Sequence, residues 1–429
     1  MISNRSTRIK NLLQKTATLK YDWGLLIAIC TICILGVAFL ASSLSIRSAA
    51  VYQQELARQI GLGLGLGGFL AFLVAKTDYH FFLKQAKLGM IVNYCLLGFL
   101  AFFAVYANIL TFTQNAVDGT INKSLIILQF SFLPIKPYIA NGAIRWIDFP
   151  FLPNFQPSEF AKLALLVYFS SFFWVFENKE INWLSFKKPI YAFLISASLI
   201  IVQPDLGTVL IIFAILAAAM WSAKIPLKIL VYLGVVVVVL GVVLTFATGY
   251  RRSRVTAFLD PTSSNATQIR GVQRAITNGG LFGKGYGNSE LKQQPGILYE
   301  QTTDAIIAII GEEIGFFGTT LFLSLYLVIL WRGLEIAKNA PDLGGQALAT
   351  GISVWIVGQA FINITGMTGL TPLKGVPLPF VSQGGSSLLI NLIAVGLLLN
   401  ISSQSTNRGD LVSPSKIKNF FPKKTFNTK

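Results

Sequence analysis

The most prominent pattern along the chain is a series of long apolar runs separated by polar segments. The runs cover residues 23–44, 58–75, 87–108, 158–176, 188–203, 205–222, 227–249, 304–331, 346–368 and 384–403. Most have about the 20 residues that an α-helix needs to cross the hydrocarbon core of a bilayer. The pattern therefore predicts an all-α polytopic membrane protein with about ten transmembrane helices. Two of the runs, 188–203 and 205–222, meet at the short QPD stretch Gln203–Asp205.

Composition supports a membrane protein. Of the 429 residues, 53% are hydrophobic and 12% are charged, and the mean hydropathy is +0.63. Soluble domains carry about 25% charged residues. The net charge of +17 comes from residues scattered over loops and tails, as membrane topology requires, so we expect no nucleic-acid binding. The first run is too long for a cleaved signal peptide and is expected to be an uncleaved first span.

The distribution of lysine and arginine predicts the orientation, because loops rich in these residues stay in the cytoplasm. The richer face holds the N-terminus, the tail from residue 404, and the loops near 76–87, 177–188, 223–228 and 332–344. Both termini are therefore expected to be cytoplasmic. We expect one transmembrane domain over residues 1–403, beginning with a basic segment at 1–21, and a basic, disordered tail at 404–429.

The outer loops, 109–157 and 250–303, are the long ones. Loops of this length in a compact protein are usually functional or disordered. The second also carries much of the basic charge of the outer face, against the general trend. The outer face is therefore the expected working face.

Unusual polar residues recur where the chain meets the outer boundary of the membrane. They are Arg145, Glu159, Lys162, Asp205, Arg251, Arg254, Asp304, Lys374 and Ser386. Irregular backbone at membrane depth is tolerated where it lines a cavity, and arginine and lysine suit phosphate groups. These residues predict an outward-facing cationic cavity for a lipid-linked phosphate or pyrophosphate.

Several of these residues also have a purely structural interpretation. Glu159 and Lys162 lie three residues apart and share a helix face, so they are either a structural ion pair or part of the cavity. Asp205 could cap the following helix, and Asp304 could be an acid of the first helical turn. In a helix, Asp304, Glu312 and Glu313 cannot all face one cavity directly, so at least one is expected to be structural and to pair with another helix.

The glycine-rich stretch GGLFGKG at 279–285 lacks the spacing and the preceding strand of a phosphate-binding loop. Asn278-Gly279-Gly280 is instead expected to end a short helix. A second glycine-rich stretch, 61–68, lies inside an apolar run, where small residues permit close helix packing.

Six stretches together resemble the family that includes RodA, FtsW and SpoVE. They are GAIRWI with QPSEFAK, QPDLGT, RVTAFLDP, AITNGGLFGKGYGN, TTD with GEEIGFFG, and TGLTPLKGVPLPFVSQGGSSLL. They occur in the order typical of the family, and the similarity spans roughly residues 20 to 403. The resemblance implies a ten-span SEDS-type fold in the bacterial cytoplasmic membrane. It also implies a peptidoglycan glycosyltransferase that polymerises lipid II beside a class B penicillin-binding protein, for division or elongation.

The resemblance also implies roles for particular residues. The family's catalytic aspartate falls on Asp304, and its polar residues fall on Arg254, Glu159 and Lys162. The chain departs from the family at 298–305, which reads LYEQTTDA where the family often has proline, histidine and phenylalanine.

The hypothesis from these residues is general-base catalysis by Asp304. Nearby cations, with a divalent ion such as Mg²⁺ or Mn²⁺, would stabilise the pyrophosphate leaving group. No organic cofactor is expected. The alternatives are a lipid II flippase and a noncatalytic scaffold for the penicillin-binding protein. An ion-coupled transporter, which would use Glu312 and Glu313, is a further alternative.

Overall fold

The computed structural model describes residues 21–115, 135–140, 143–149, 154–177, 186–246, 255–256, 258–260, 267–290, 292, 302–372 and 375–405. The helices are α1 (Trp23–Leu44), α2 (Ala49–Lys76), α3 (Tyr79–Lys84), α4 (Ala86–Asn115), α5 (Pro157–Val175), α6 (Lys187–Val202), α7 (Leu206–Ser222), α8 (Leu227–Phe246), α9 (Thr267–Gly279), α10 (Ile306–Lys338), α11 (Leu343–Met367) and α12 (Gly385–Ser405). The strands are β1 (Lys136–Ala140) and β2 (Ala143–Asp148).

The helices follow the predicted apolar runs closely. Seven of them, α1, α2, α4, α5, α10, α11 and α12, are long and apolar enough to cross a membrane. The other three predicted spans coincide with α6, α7 and α8, which the short 203–205 turn and the 223–226 segment separate. The membrane-spanning character of the fold is thus confirmed, while the number of ten spans and the sidedness of the termini stay predictions.

The glycine-rich stretch at 61–68 allows close contact between α2 and α12, as predicted. A Cβ on Gly63 would lie 2.7 Å from Leu388 Cδ2, and one on Gly67 would lie 2.8 Å from Leu392 Cδ1. A Cβ at either position would require the leucine side chain to move, and a Cβ on Gly67 would also lie 3.3 Å from Leu389 Cα, so the glycines ease this close approach. The segment Arg58–Leu66 of α2 is π-helical.

The segments predicted to lie on the inner face meet at one end of the bundle. His80 lies between two carboxylates, with Nδ1 2.7 Å from Asp78 Oδ1 and Nε2 2.7 Å from Asp342 Oδ2. Burial alone would lower the pKa of His80, but the hydrogen bonds to Asp342 and Asp78 outweigh it and raise the pKa to about 9. We call these three residues the inner cluster. Glu177 Oε1, from a third inner segment, accepts a hydrogen bond from Leu343 N at 3.2 Å.

The outer loop 109–157 also contains two strands, which the sequence pattern did not predict. Strands β1 and β2 form an antiparallel hairpin in which Tyr138 pairs with Trp146. Ile144 and Ile147 are buried and pack against the outer part of α4. The hairpin therefore rests on the membrane domain, and it carries Arg145 on its second strand.

Candidate active site

The turn before α10 carries Asp304 and is fixed by two neighbouring segments. The Asp304 carbonyl accepts a hydrogen bond from Asn363 Nδ2 at 2.9 Å, and the Thr302 carbonyl accepts one from Gln383 N at 2.8 Å. The hydroxyl of Ser382 donates to the Thr303 carbonyl. Asp304 itself is buried, with 7% of its surface exposed. The backbone of the candidate base is therefore held by α11 on one side and by the segment before α12 on the other.

Glu159 and Lys162 form an ion pair on the first turns of α5. Lys162 Nζ lies 2.7 Å from Glu159 Oε1 and also donates to Gln359 Oε1 at 2.6 Å. The same Gln359 oxygen accepts from Trp355 Nε1 at 2.9 Å, while Gln359 Nε2 donates to the Pro377 carbonyl at 3.0 Å. Lys162 and Glu159 are 1% and 2% exposed. The interpretation as an ion pair is confirmed, and the pair also connects α5 to α11 and the segment before α12.

Asp205 caps α7, which confirms its structural interpretation. Its Oδ1 accepts a hydrogen bond from Thr208 N at 3.2 Å. Its Oδ2 accepts from the hydroxyls of Thr208 at 2.8 Å and Ser158 at 3.2 Å. Gln156 Nε2 also donates to Asp205 Oδ2, at 3.4 Å. The carboxylate thus ties the start of α7 to the start of α5.

Arg145 and Ser386 reach the same region from separate elements. Arg145 Nε and Nη2 donate to the carbonyls of Gln203 at 3.1 Å and Pro204 at 2.6 Å, next to the Asp205 cap. Ser386 Oγ, at the start of α12, accepts from Gln156 N at 3.4 Å. The structure thus brings Arg145, Ser386 and the Asp205 cap to the starts of α5 and α7.

Three of the predicted substrate-binding residues, Arg251, Arg254 and Lys374, lie outside the described residues, as does Glu300. Their assignments stay predictions.

Glu312 and Glu313 are both paired with lysines of the preceding loop, which explains how α10 can bury two adjacent acids. Glu312 contacts Lys284 Nζ at 3.2 Å through Oε1 and accepts from Ser289 Oγ at 2.6 Å through Oε2. Glu313 Oε1 lies 3.1 Å from Lys292 Nζ and accepts from the hydroxyl of Ser42 on α1. The expectation that at least one of these glutamates is structural is confirmed.

The stretch 279–285, which we call the glycine clip, packs against a break in α10. It supplies hydrogen-bond partners for backbone groups that the break exposes. Gly315 has φ +66° and ψ −169°, which breaks the helix. The carbonyls of Glu312 and Glu313 consequently lose their partners within the helix and accept instead from the amides of Lys284 and Gly285, both at 3.0 Å. The amides of residues 316 and 317 donate in turn to the carbonyls of residues 280 and 281, at 2.9 and 3.1 Å. Four backbone groups beside the kink thus find partners in the clip, as buried backbone groups generally must.

A short helix, α9, ends at the glycine clip, as predicted. Gly280 follows α9 with φ +56°, a left-handed conformation that glycine adopts readily. The clip's close approach to α10 was not predicted, because backbone contact between distant segments leaves no periodic signal.

Several residues of the site were missed from the sequence. Gln359 and Asn363 lie four residues apart on α11, so two polar residues on one face of an apolar run could have indicated their role. Lys292 is a single cation in a long loop, and nothing in its surroundings in the sequence indicated that Glu313 is its partner.

No group of three or more histidine, cysteine, aspartate or glutamate residues suited to a metal ion occurs among the described residues.

The chain matches a family described as "Cell cycle protein", named for FtsW, RodA and SpoVE, over residues 91–407. It is 35% identical to the probable peptidoglycan glycosyltransferase FtsW of Geobacter sp. (strain M18) over 343 residues, covering 77% of this chain and 90% of that protein. It is 40% identical to stage V sporulation protein E of Bacillus subtilis (strain 168) over 298 residues, covering 67% of this chain and 80% of that protein.

Two solved structures share the fold. One belongs to a study of how a peptidoglycan synthase complex coordinates polymerization and crosslinking; its TM-score is 0.68 at 25% identity, covering 91% of this chain and all of that one. The other is the rod shape determining protein RodA of Thermus thermophilus, with a TM-score of 0.60 at 24% identity, covering 90% of this chain and 97% of that one.

Proposed function

The chain belongs to the FtsW/RodA/SpoVE family, and from that membership we propose that it is a peptidoglycan glycosyltransferase of the bacterial cytoplasmic membrane. Its substrate is lipid II, the disaccharide-pentapeptide carried on undecaprenyl pyrophosphate, and it works on the outer face. The observation that carries the chemistry is the buried carboxylate of Asp304, on a turn held by α11 and the segment before α12.

Asp304 acts as the general base. Its carboxylate takes the proton from the 4-hydroxyl of the acceptor N-acetylglucosamine while that oxygen attacks the anomeric carbon of the donor N-acetylmuramic acid. A new glycosidic C–O bond forms, the C–O bond to the pyrophosphate breaks, and undecaprenyl pyrophosphate leaves as an anion. General-base catalysis of this kind is worth about 10²–10⁴-fold.

The leaving group is already anionic, so it needs charge stabilisation more than a proton. Arg145 is well suited, because its guanidinium hydrogen-bonds only to two neutral carbonyl oxygens among the described residues and retains its charge for an anion. Arg251, Arg254 and Lys374 are further candidates from the sequence.

The buried pair of Glu159 and Lys162 has a supporting role in this proposal. Lys162 donates to Glu159 and Gln359 and is only 1% exposed, so it holds α5 and α11 together rather than contacting the substrate directly. A class B penicillin-binding protein is the proposed partner that cross-links the new strand.

The test is lipid II polymerisation by the purified full chain with its cognate penicillin-binding protein. Wild type, Asp304→Asn and Glu290→Gln are assayed side by side, with and without Mg²⁺ or Mn²⁺. Glu290 is the matched control, because it is an outer carboxylate whose side chain is 68% exposed. We expect glycan ladders from wild type and Glu290→Gln, and a loss of about 10²-fold or more for Asp304→Asn.

Two results would point to other functions. Normal ladders from Asp304→Asn would remove the proposed base. Ladders from none of the proteins, with folded chain and active partner, would favour lipid II translocation, which a vesicle assay detects, or a purely scaffolding role.

A further inference from the structure

An apolar cavity of about 330 Å³ lies between α6, α7 and α8. Its lining is almost wholly hydrocarbon, and Ser198 is the one hydroxyl-bearing residue among the described residues that line it. Protein interiors contain few voids larger than a water molecule, and an apolar void of this size is not filled by water. In a chain that spans a bilayer, the occupant is therefore hydrocarbon.

The cavity opens sideways to the membrane and is long. Leu194 on α6 and Val236 on α8 both line the cavity and are 44% and 50% exposed. A hydrocarbon chain can therefore enter the cavity from the surrounding lipid. Along α7 the lining runs from Leu206 to Met220, which at 1.5 Å per residue is about 21 Å. The hydrocarbon core is about 30 Å thick, so the cavity continues past the membrane midplane.

This length discriminates between two kinds of hydrocarbon. The acyl chain of a phospholipid fills one leaflet, or about 15 Å of the core. An acyl chain would have to be fully extended to reach the far end of the cavity, whereas a longer polyprenyl chain follows its whole length.

One end of the cavity meets the polar site. Leu206 lines the cavity and directly follows the Asp205 cap, where Arg145 donates to the carbonyls of Gln203 and Pro204. An anion attached to the outer end of the occupant would lie near this guanidinium. Charge and length therefore indicate the same ligand, a long polyprenyl chain that ends in a pyrophosphate.

We propose that the α6–α7–α8 cavity holds the polyprenyl chain of the lipid-linked substrate. This inference rests on the proposed function and adds the site that orients the substrate's tail. The tail moves from one hydrocarbon environment to another, so the hydrophobic effect contributes little to the free energy of its binding. Its contribution is to fix the position of the pyrophosphate relative to Asp304.

The first test fills the cavity by Ala217→Trp, since Ala217 lines it on α7. The matched control is Ala214→Trp, on the same helix but exposed and outside the lining. Both variants and wild type are assayed on lipid II with the full undecaprenyl chain and on lipid II truncated to a few isoprene units. We expect Ala217→Trp to lower kcat/KM about tenfold on the long substrate, since misplaced substrates lose up to about 10²-fold. The short substrate, and Ala214→Trp on either substrate, should be unaffected.

An equal loss on both substrates, or no loss on either, would overturn the proposal. A second measurement does not depend on catalysis. Wild-type protein in vesicles of phosphatidylethanolamine and phosphatidylglycerol is irradiated with a photoreactive polyprenyl pyrophosphate, and the labelled peptides are identified by mass spectrometry. A photoreactive phospholipid is the comparison.

We expect the polyprenyl probe to label peptides of α6–α8 and unlabelled undecaprenyl pyrophosphate to compete. Labelling of this region by the phospholipid alone would show that bilayer lipid occupies the cavity and would refute the inference. If wild type proves unable to polymerise lipid II, the proposed function fails, and the labelling experiment still decides what the cavity binds.

Discussion

The buried pair of Lys162 and Glu159 permits a quantitative test of the site's architecture. In Lys162→Met, the Glu159 carboxylate remains in place at 2% exposure. Its Oε1 loses the contact to the ammonium at 2.7 Å, and its Oε2 has no hydrogen-bond partner among the described residues even in the wild type. Gln359 Oε1 also loses one of its two donors. The substitution thus leaves a buried acid with no partner for its side chain.

Breaking a buried ion pair by removing one partner costs about 3–5 kcal/mol, and Lys162→Met should lie within this range. Glu159→Leu should cost less, because Lys162 keeps the Gln359 oxygen at 2.6 Å and lies 5.0 Å from the Trp355 ring centre. The double variant Glu159→Leu/Lys162→Met removes both charges. Its loss should be smaller than the sum of the two single losses by at least about 2 kcal/mol.

The free energies are measured by reversible unfolding in mixed micelles, followed by far-UV circular dichroism, for wild type and the three variants. The same proteins are assayed for lipid II polymerisation. Recovery of both stability and activity in the double variant would establish a purely structural pair. Recovery of stability alone would indicate that the charges also act on the substrate.

Two results would refute this reasoning. One is a loss below about 1 kcal/mol for Lys162→Met, which would mean that the carboxylate is not isolated when the lysine is removed. The other is additivity of the two single losses, which would mean that the two side chains do not interact.

Two further predictions concern the glycine clip and the inner cluster. Gly283→Ala should destabilise the protein more than Gly287→Ala. The two glycines have nearly the same φ, +82° and +83°, so the backbone cost of alanine is similar. However, a Cβ on Gly283 would lie 2.2 Å from the Glu313 carbonyl oxygen, while a Cβ on Gly287 would meet open space. Equal melting temperatures for the two variants would contradict the close backbone contact. The inner cluster should stabilise the protein when His80 is protonated. Because folding raises the pKa of His80 from 6.5 to about 9, up to about 3 kcal/mol should be present below pH 6.5 and lost as the pH rises to 9. Thermal melting across this range should show the loss in wild type and not in His80→Gln, and parallel curves would contradict it.

The sequence by itself determined the helical membrane fold and most helix positions. The physical reason is that a transmembrane helix must satisfy its own backbone and present apolar side chains over a fixed length. Each span meets this requirement with its own residues, so its ends can be predicted locally. Helices such as α1 and α7 begin and end within a few residues of the predicted bounds. The polar residues at the outer boundary stood out for the same reason, since buried charge in a membrane is costly and therefore rare.

The sequence could not determine which polar residues meet. Lys162 faces Gln359 almost 200 residues away, and Glu313 faces Lys292 and Ser42 on different elements. Pairings at this separation depend on how helices pack, and packing leaves no local trace when either partner could serve several neighbours. The hairpin of β1 and β2 was missed because the apolar surface that it covers lies on a distant part of α4.

Tertiary structure alone also decided the functions of the glycines and of the apolar surface. In the sequence, the clip is only a loop of small residues. Its role depends on the break of α10 at Gly315, which leaves four backbone groups that the clip pairs with. The cavity between α6, α7 and α8 is lined by residues that sequence reasoning assigns equally well to lipid or to core. A hydrocarbon side chain is the same in both environments, so only the arrangement of three helices separates a packed interface from a site for a lipid tail.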